Sequence, residues 1–111
     1  MKQLSAFLYL FVLAVALMGQ SKSPRVATVT PDTGKAAAEY TAAGENLVKD
    51  LVKDLYLTNG KDDIKVQIVT QTGEAIQFKV PANTKPGRYS LMILTGDGKQ
   101  FIEQPVKMTI E

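Results

Sequence analysis

The part of the chain after Ile64 is written in alternation, and this constrains the fold more than any other feature. Ile64, Val66 and Ile68 alternate with Lys65 and Gln67, and Ile76, Phe78 and Val80 alternate with Gln77 and Lys79. Successive side chains of a strand point to opposite faces, so each run reads as a strand with one apolar and one polar side. Turn chemistry separates the runs. Gln71-Thr72-Gly73-Glu74 joins the first two, Pro81 closes the second, and a polar stretch ending in Pro86-Gly87 leads to a third strand with Tyr89, Leu91 and Ile93 on one face. Thr95-Gly96-Asp97-Gly98 is a hairpin signal, because Gly and Asp tolerate the positive φ of tight strand connections. The last strand carries Val106, Met108 and Ile110 on one side and Lys107 and Thr109 on the other. Short strands at this spacing predict an all-β sandwich or barrel.

The N-terminal half is less regular. Val26 to Val29 is expected as an edge strand bracketed by Pro24 and Pro31, and Asp32-Thr33-Gly34 as a turn. Between Ala36 and Leu57 two patterns compete. A tandem Leu-Val-Lys-Asp repeat puts Leu47, Val48, Leu51, Val52 and Leu55 on one helical face, with Asn46 placed to cap it. Against a long helix stand Gly44 and the β-favouring runs Tyr40-Thr41 and Leu55-Tyr56-Leu57-Thr58, the latter leading into an Asn59-Gly60 turn. The expectation is a strand, one short helical turn near residues 47–53, then another strand.

Five elements in order carry a family resemblance: Pro31-Asp32-Thr33-Gly34, Tyr40-Thr41-Ala42-Ala43-Gly44-Glu45-Asn46-Leu47, Leu55-Tyr56-Leu57-Thr58-Asn59-Gly60, Ile76-Gln77-Phe78-Lys79-Val80-Pro81 and Pro86-Gly87-Arg88-Tyr89-Ser90-Leu91. Together they resemble the IPT/TIG domain of exported bacterial proteins. The resemblance runs from Pro24 to Glu111. It implies an immunoglobulin-like two-sheet sandwich of the E-set type, without an intersheet disulfide, in keeping with the absence of cysteine. This chain departs from the family pattern at Ala36-Ala37-Ala38 and at Val48, where glycine is usual. If those places need positive φ, each β-carbon costs roughly 1 kcal/mol or more.

The first residues read as an address. Lys2 is followed by an apolar stretch from Leu4 to Met18, broken only by Ser5, and then by small residues. A signal peptide over residues 1–21, cleaved after Ser21, is the expectation; Ala16 is the other site, and an uncleaved N-terminal anchor the alternative. With no cysteine, lipidation at a signal-peptide cysteine is excluded. Residues 22–111 are then one exported domain, periplasmic or secreted, with no stable membrane span after cleavage. Removing Lys2 from thirteen Lys and Arg leaves twelve against eleven Asp and Glu, a net charge of +1. That balance, and the export signal, disfavour nucleic acid as a partner.

The chain contains no His and no Cys, which excludes His-based proton transfer, Cys nucleophiles and the usual zinc sites. Ser23 and Ser90 lack the local pattern of an activated nucleophile. Asp62-Asp63 near Asn59, or Asp97 in its loop, are read as solvated turn residues because the alternating oxygen-ligand spacing of a calcium loop is missing. No catalytic, cofactor-binding or metal residue is assigned. The aromatic residues Tyr40, Tyr56, Phe78, Tyr89 and Phe101 are read mostly as core.

One strand breaks the one-sided pattern. Between Tyr89 and Thr95 the outward positions include Met92 and Leu94, so both faces are apolar. These two residues are the candidate interface, covered either by the Leu-Val-Lys-Asp segment or by a second subunit or partner. The expected function is a non-enzymatic module that binds a protein or cell-surface glycan or serves as a spacer, with homo-oligomers allowed. The alternative is a small periplasmic inhibitor or accessory subunit of an envelope enzyme.

Overall fold

A computed structural model describes residues 23–111; the expected signal peptide and its cleavage sites lie outside the described residues. The strands are β1 (Arg25–Thr30), β2 (Thr33–Gly34), β3 (Glu39–Glu45), β4 (Val52–Thr58), β5 (Asp63–Lys65), β6 (Gln67–Gln71), β7 (Ala75–Lys79), β8 (Gly87–Thr95) and β9 (Phe101–Ile110). They form a four-stranded sheet in the order β1-β3-β7-β6 and a five-stranded sheet in the order β2-β9-β8-β4-β5. All pairings are antiparallel except that of β2 with β9. The described residues contain no helix.

The core lies between the two sheets and is filled by the positions that alternation marks as inward. Ile76, Phe78 and Val80 from one sheet and Leu55, Leu57, Leu91 and Ile93 from the other are all inaccessible to solvent. Tyr40 stacks on Phe78 with ring centroids 5.8 Å apart. At the start of β8 the Tyr89 hydroxyl donates to the Lys85 carbonyl at 2.6 Å. This tyrosine corner satisfies the polar end of a ring whose body is in the core, as in other immunoglobulin-like domains. Topology, core and corner together make this an immunoglobulin-like all-β sandwich.

The structure corrects the sequence reading in several places. Thr33 and Gly34, expected in a turn, pair with Thr109 and Ile110, so the chain leaves the first sheet after β1 and joins the second. The run Ile64 to Ile68, expected as one strand, is divided: β5 pairs with β4 and β6 with β7, and buried Val66 marks the crossing. Alternation survives the crossing because Ile64 and Ile68 face the same core from opposite sheets.

The Leu-Val-Lys-Asp repeat forms a single turn, in which the Val52 amide donates to the Val48 carbonyl at 2.9 Å, and goes no further. Asn46 has φ 59°, outside the extended geometry of a helix cap, and its side chain donates to the Ser23 carbonyl. Gln71 Nε2 donates to the carbonyls of Leu47 and Val52, at 2.7 and 3.0 Å, clamping both ends of the segment. Leu47 and Val52 enter the core while Val48 remains 41% exposed, so the helical stripe is not buried as a unit. Ala37, within the alanine run, takes φ 69° and donates its amide to the Val80 carbonyl at 2.9 Å; Val48 has no positive φ.

Two glycines are required by close approach. A β-carbon on Gly44 would collide with the Arg25 carbonyl across the β1–β3 ladder, and one on Gly96 with the Asp50 carbonyl. The second contact seats the Val48–Leu51 turn against the β8–β9 hairpin, where the Gly96 amide donates to the Leu51 carbonyl at 3.0 Å. The repeat therefore closes one end of the sandwich and does not lie over the outward face of β8.

Candidate interaction face

On the outward side of the five-stranded sheet, side chains meet in cross-strand rows. Asp54, Leu94 and Phe101 form one row, Tyr56, Met92 and Glu103 the next, and Thr58, Ser90 and Lys107 a third. The strands β4 and β9 flank β8 and lie roughly 9–10 Å apart, twice the spacing of neighbouring strands. Yet the rings of Tyr56 and Phe101 approach to 5.5 Å between centroids with an interplanar angle of 72°, an edge-to-face contact that must pass over β8. The ring pair roofs Leu94, which is 7% exposed. Met92 and Tyr56 are half-buried, and Phe101 is 57% exposed.

Met92 and Leu94 therefore share this face, but their cover comes from the flanking strands of the same sheet. The side chain that offers itself to solvent is Phe101. Reading the aromatics mostly as core holds for Tyr40, Phe78 and Tyr89 and fails for Tyr56 and Phe101. The signal for Tyr56 was present in its alternation with buried Leu55 and Leu57. For Phe101 no local signal exists, because its orientation follows from its register opposite Leu94.

One border of the platform is an ion pair, Lys65 Nζ to Asp54 Oδ2 at 3.6 Å, on the β5 side. The other border is a polar groove of about 240 Å³ lined by Thr58, Asn59, Gly60, Arg88, Ser90, Glu103 and Lys107. A bulge in β9 shapes it: between the Met92–Glu103 and Ser90–Lys107 pairs β9 advances four positions while β8 advances two. Pro105, which has no amide to give to a ladder, sits in that bulge. Inside the bulge Gln104 turns into the protein, where its Oε1 accepts from the Val26 amide at 2.7 Å and ties β9 to β1. Lys107 Nζ donates to Ser90 Oγ at 3.4 Å across the groove.

A larger cleft, about 550 Å³, opens at the sandwich edge where β5 gives way to β6. Its walls are Ala37, Val66, Val80 and Pro81 with Lys65 and Lys79 at the rim. The Asn59 turn and Asp97 lie at opposite ends of β4 and β8, roughly 20 Å apart over the six-residue ladder, so they form no common oxygen cluster. Asn59 Oδ1 accepts from the amides of Lys61 and Asp62 at 2.9 and 2.7 Å. Asp97 Oδ1 accepts from the Thr95 hydroxyl at 2.6 Å and the Lys99 amide at 3.0 Å. The Thr95 hydroxyl, followed by the Lys99 amide, holds this carboxyl below the usual aspartate range. Both are turn-stabilising contacts.

The chain matches no protein-family model and no curated protein. Among solved structures it is similar to SGBP-B of the Bacteroides ovatus mixed-linkage glucan utilization locus, solved in complex with a mixed-linkage heptasaccharide (TM-score 0.58, 15% identity, 82% of this chain). It is also similar to an auxiliary nutrient binding protein from Bacteroides thetaiotaomicron (TM-score 0.57, 26% identity, 82% of this chain). A third is a putative bacterial DNA binding protein from Bacteroides vulgatus (TM-score 0.57, 18% identity, 82% of this chain). The chain spans 23%, 21% and 47% of these proteins, respectively. What it shares with them is the immunoglobulin-like sandwich.

Proposed function

We propose that this chain is an exported, non-enzymatic immunoglobulin-like module that presents the outward face of its five-stranded sheet to a protein or cell-surface glycan. The observation that carries the reading is Phe101, a ring 57% exposed yet in T-shaped contact with Tyr56 and cross-strand from a buried Leu94, on the same face as an open polar groove. A large ring fixed at the surface costs little further ordering on binding, which is what a recognition anchor needs. Export is supported by the N-terminal address sequence. The resemblance to IPT/TIG domains supports a spacer or interaction role, as does the similarity to a glucan utilization locus protein solved with a heptasaccharide and to an auxiliary nutrient binding protein.

The test is capture from envelope extract by the immobilised protein, compared with Phe101→Ala. Retention of an envelope component that the variant loses supports the reading. Retention indifferent to Phe101, or none, removes this face from the function. Recovery of one envelope enzyme in stoichiometric amount would assign the accessory-subunit role instead.

A further inference from the structure

We propose that the ligand of this face is a neutral oligosaccharide, with Phe101 as the stacking platform and Glu103, Lys107 and Arg88 as the hydrogen-bonding groups. The inference rests on the reading of this face as the interaction surface and names the chemistry it takes. The apolar side of a pyranose ring is formed by its axial C–H groups and packs on an aromatic face, while its hydroxyls project from the rim. Phe101 offers an exposed aromatic ring, and its T-shaped contact with Tyr56 helps to hold the orientation of that ring.

The groove beside it matches the hydroxyls. Each sugar hydroxyl both donates and accepts, and the groove supplies donors from Arg88 and Lys107 and an acceptor from Glu103 within one opening. An acidic polymer could use Arg88 and Lys107 but would leave the Glu103 carboxylate without a donor, whereas hydroxyls can pair with all three groups. A protein partner is disfavoured by the make-up of the face. The core of a stable protein interface is apolar, whereas here Leu94 is already covered and Tyr56 and Met92 are half-buried, leaving Phe101 as the large exposed apolar side chain of the face. The row of Phe101 and the row of Ser90 are separated by four residues of β8, roughly 13 Å, which exceeds one sugar ring and calls for a chain of them.

The experiment is calorimetric titration of the protein with a mixed-linkage glucan heptasaccharide, xylohexaose and mannohexaose. At least one should bind. Phe101→Ala should weaken it roughly tenfold or more, and Glu103→Gln by roughly three- to tenfold, both measured at a temperature well below the thermal midpoint of each variant. Gln77→Ala, on the opposite outward face, should leave binding unchanged. Absence of binding to all three probes overturns the proposal, as does binding that both Phe101→Ala and Glu103→Gln leave intact. A concentration-dependent dimer abolished by Phe101→Ala would give the face to a second copy and overturn it too. If no saccharide binds while envelope capture remains Phe101-dependent, the interaction face stands and only the ligand class falls.

Discussion

On the outward face of the four-stranded sheet, Gln77 Nε2 donates to Glu39 at 3.0 Å while its Oε1 accepts from Thr70 at 3.3 Å. On the outward face of the five-stranded sheet the middle of the ladder holds Met92 and Leu94, and the roof over them is a pair of rings. The strands are alike and their inner faces are equally dry, but the first outward face joins Gln77 to Glu39 and Thr70, and the large apolar side chain its sheet leaves exposed is the aliphatic Val69, 45% exposed. The second ends in an aromatic ring that the fold has positioned and left uncovered. A polar ladder of this kind finishes a surface, whereas a rigid exposed ring beside a polar groove has capacity left for a ligand.

The largest expected effects fall on the inner faces and should not distinguish the sheets. Phe78→Ala and Leu91→Ala, one from each sheet and both fully buried, should each cost about 2–5 kcal/mol in denaturant unfolding. A small loss at either would break the view that the two sheets share one core.

Next comes Leu94→Thr, which tests whether the second outward face is structural beneath and functional above. A buried Leu94 under the ring pair predicts a loss of about 1.5–3 kcal/mol, with Met92→Thr costing less. If both substitutions leave stability untouched, these residues face a surface and the original interface assignment to Met92 and Leu94 is restored.

Smaller still, Phe101→Ala should cost about 0.5–1.5 kcal/mol through its edge-to-face contact with Tyr56. Gln77→Ala, which breaks exposed hydrogen bonds, should stay within about 0.5 kcal/mol. Equality between them would remove the evidence that the ring pair is preorganised.

The smallest effect is expected from acid. The Asp97 carboxyl is held below its ordinary value in the fold, so its support for the β8–β9 hairpin is complete above about pH 3.9 and is lost as pH falls through the lower folded value. Because that hairpin leads into Phe101, near-ultraviolet dichroism of the tyrosines should report the loosening, and Asp97→Asn should remove the pH dependence. An acid-induced change in the spectrum that persists unaltered in Asp97→Asn would detach this carboxyl from the platform.

Much of this was legible locally. The inward positions of β7, β8 and β9, the hairpin at Gly96-Asp97-Gly98 and the edge position of β1 follow from period-two alternation and turn chemistry, which act within a few residues. The Leu-Val-Lys-Asp repeat forms the single turn expected near residues 47–53, but what stops it there was not legible, because period alone cannot register competitors. Gln71, nineteen and twenty-four residues away from its two acceptors, takes the carbonyls, and Asn46 turns left-handed. The tyrosine corner at Tyr89 was equally silent, since a buried hydroxyl shows its partner only when the chain upstream has folded back.

By itself the sequence determined the all-β class, which side of most strands would be dry, and the exclusion of histidine, cysteine and disulfide chemistry. Each of these depends on residue type and near-neighbour spacing. The tertiary structure alone decided that Ile64 and Ile68 serve different sheets, that Thr33 and Gly34 complete the second one, and that Tyr56 and Phe101 meet over β8. Those outcomes depend on register between strands far apart in the chain, and a bulge or a shift of one residue would have turned Phe101 to the other face.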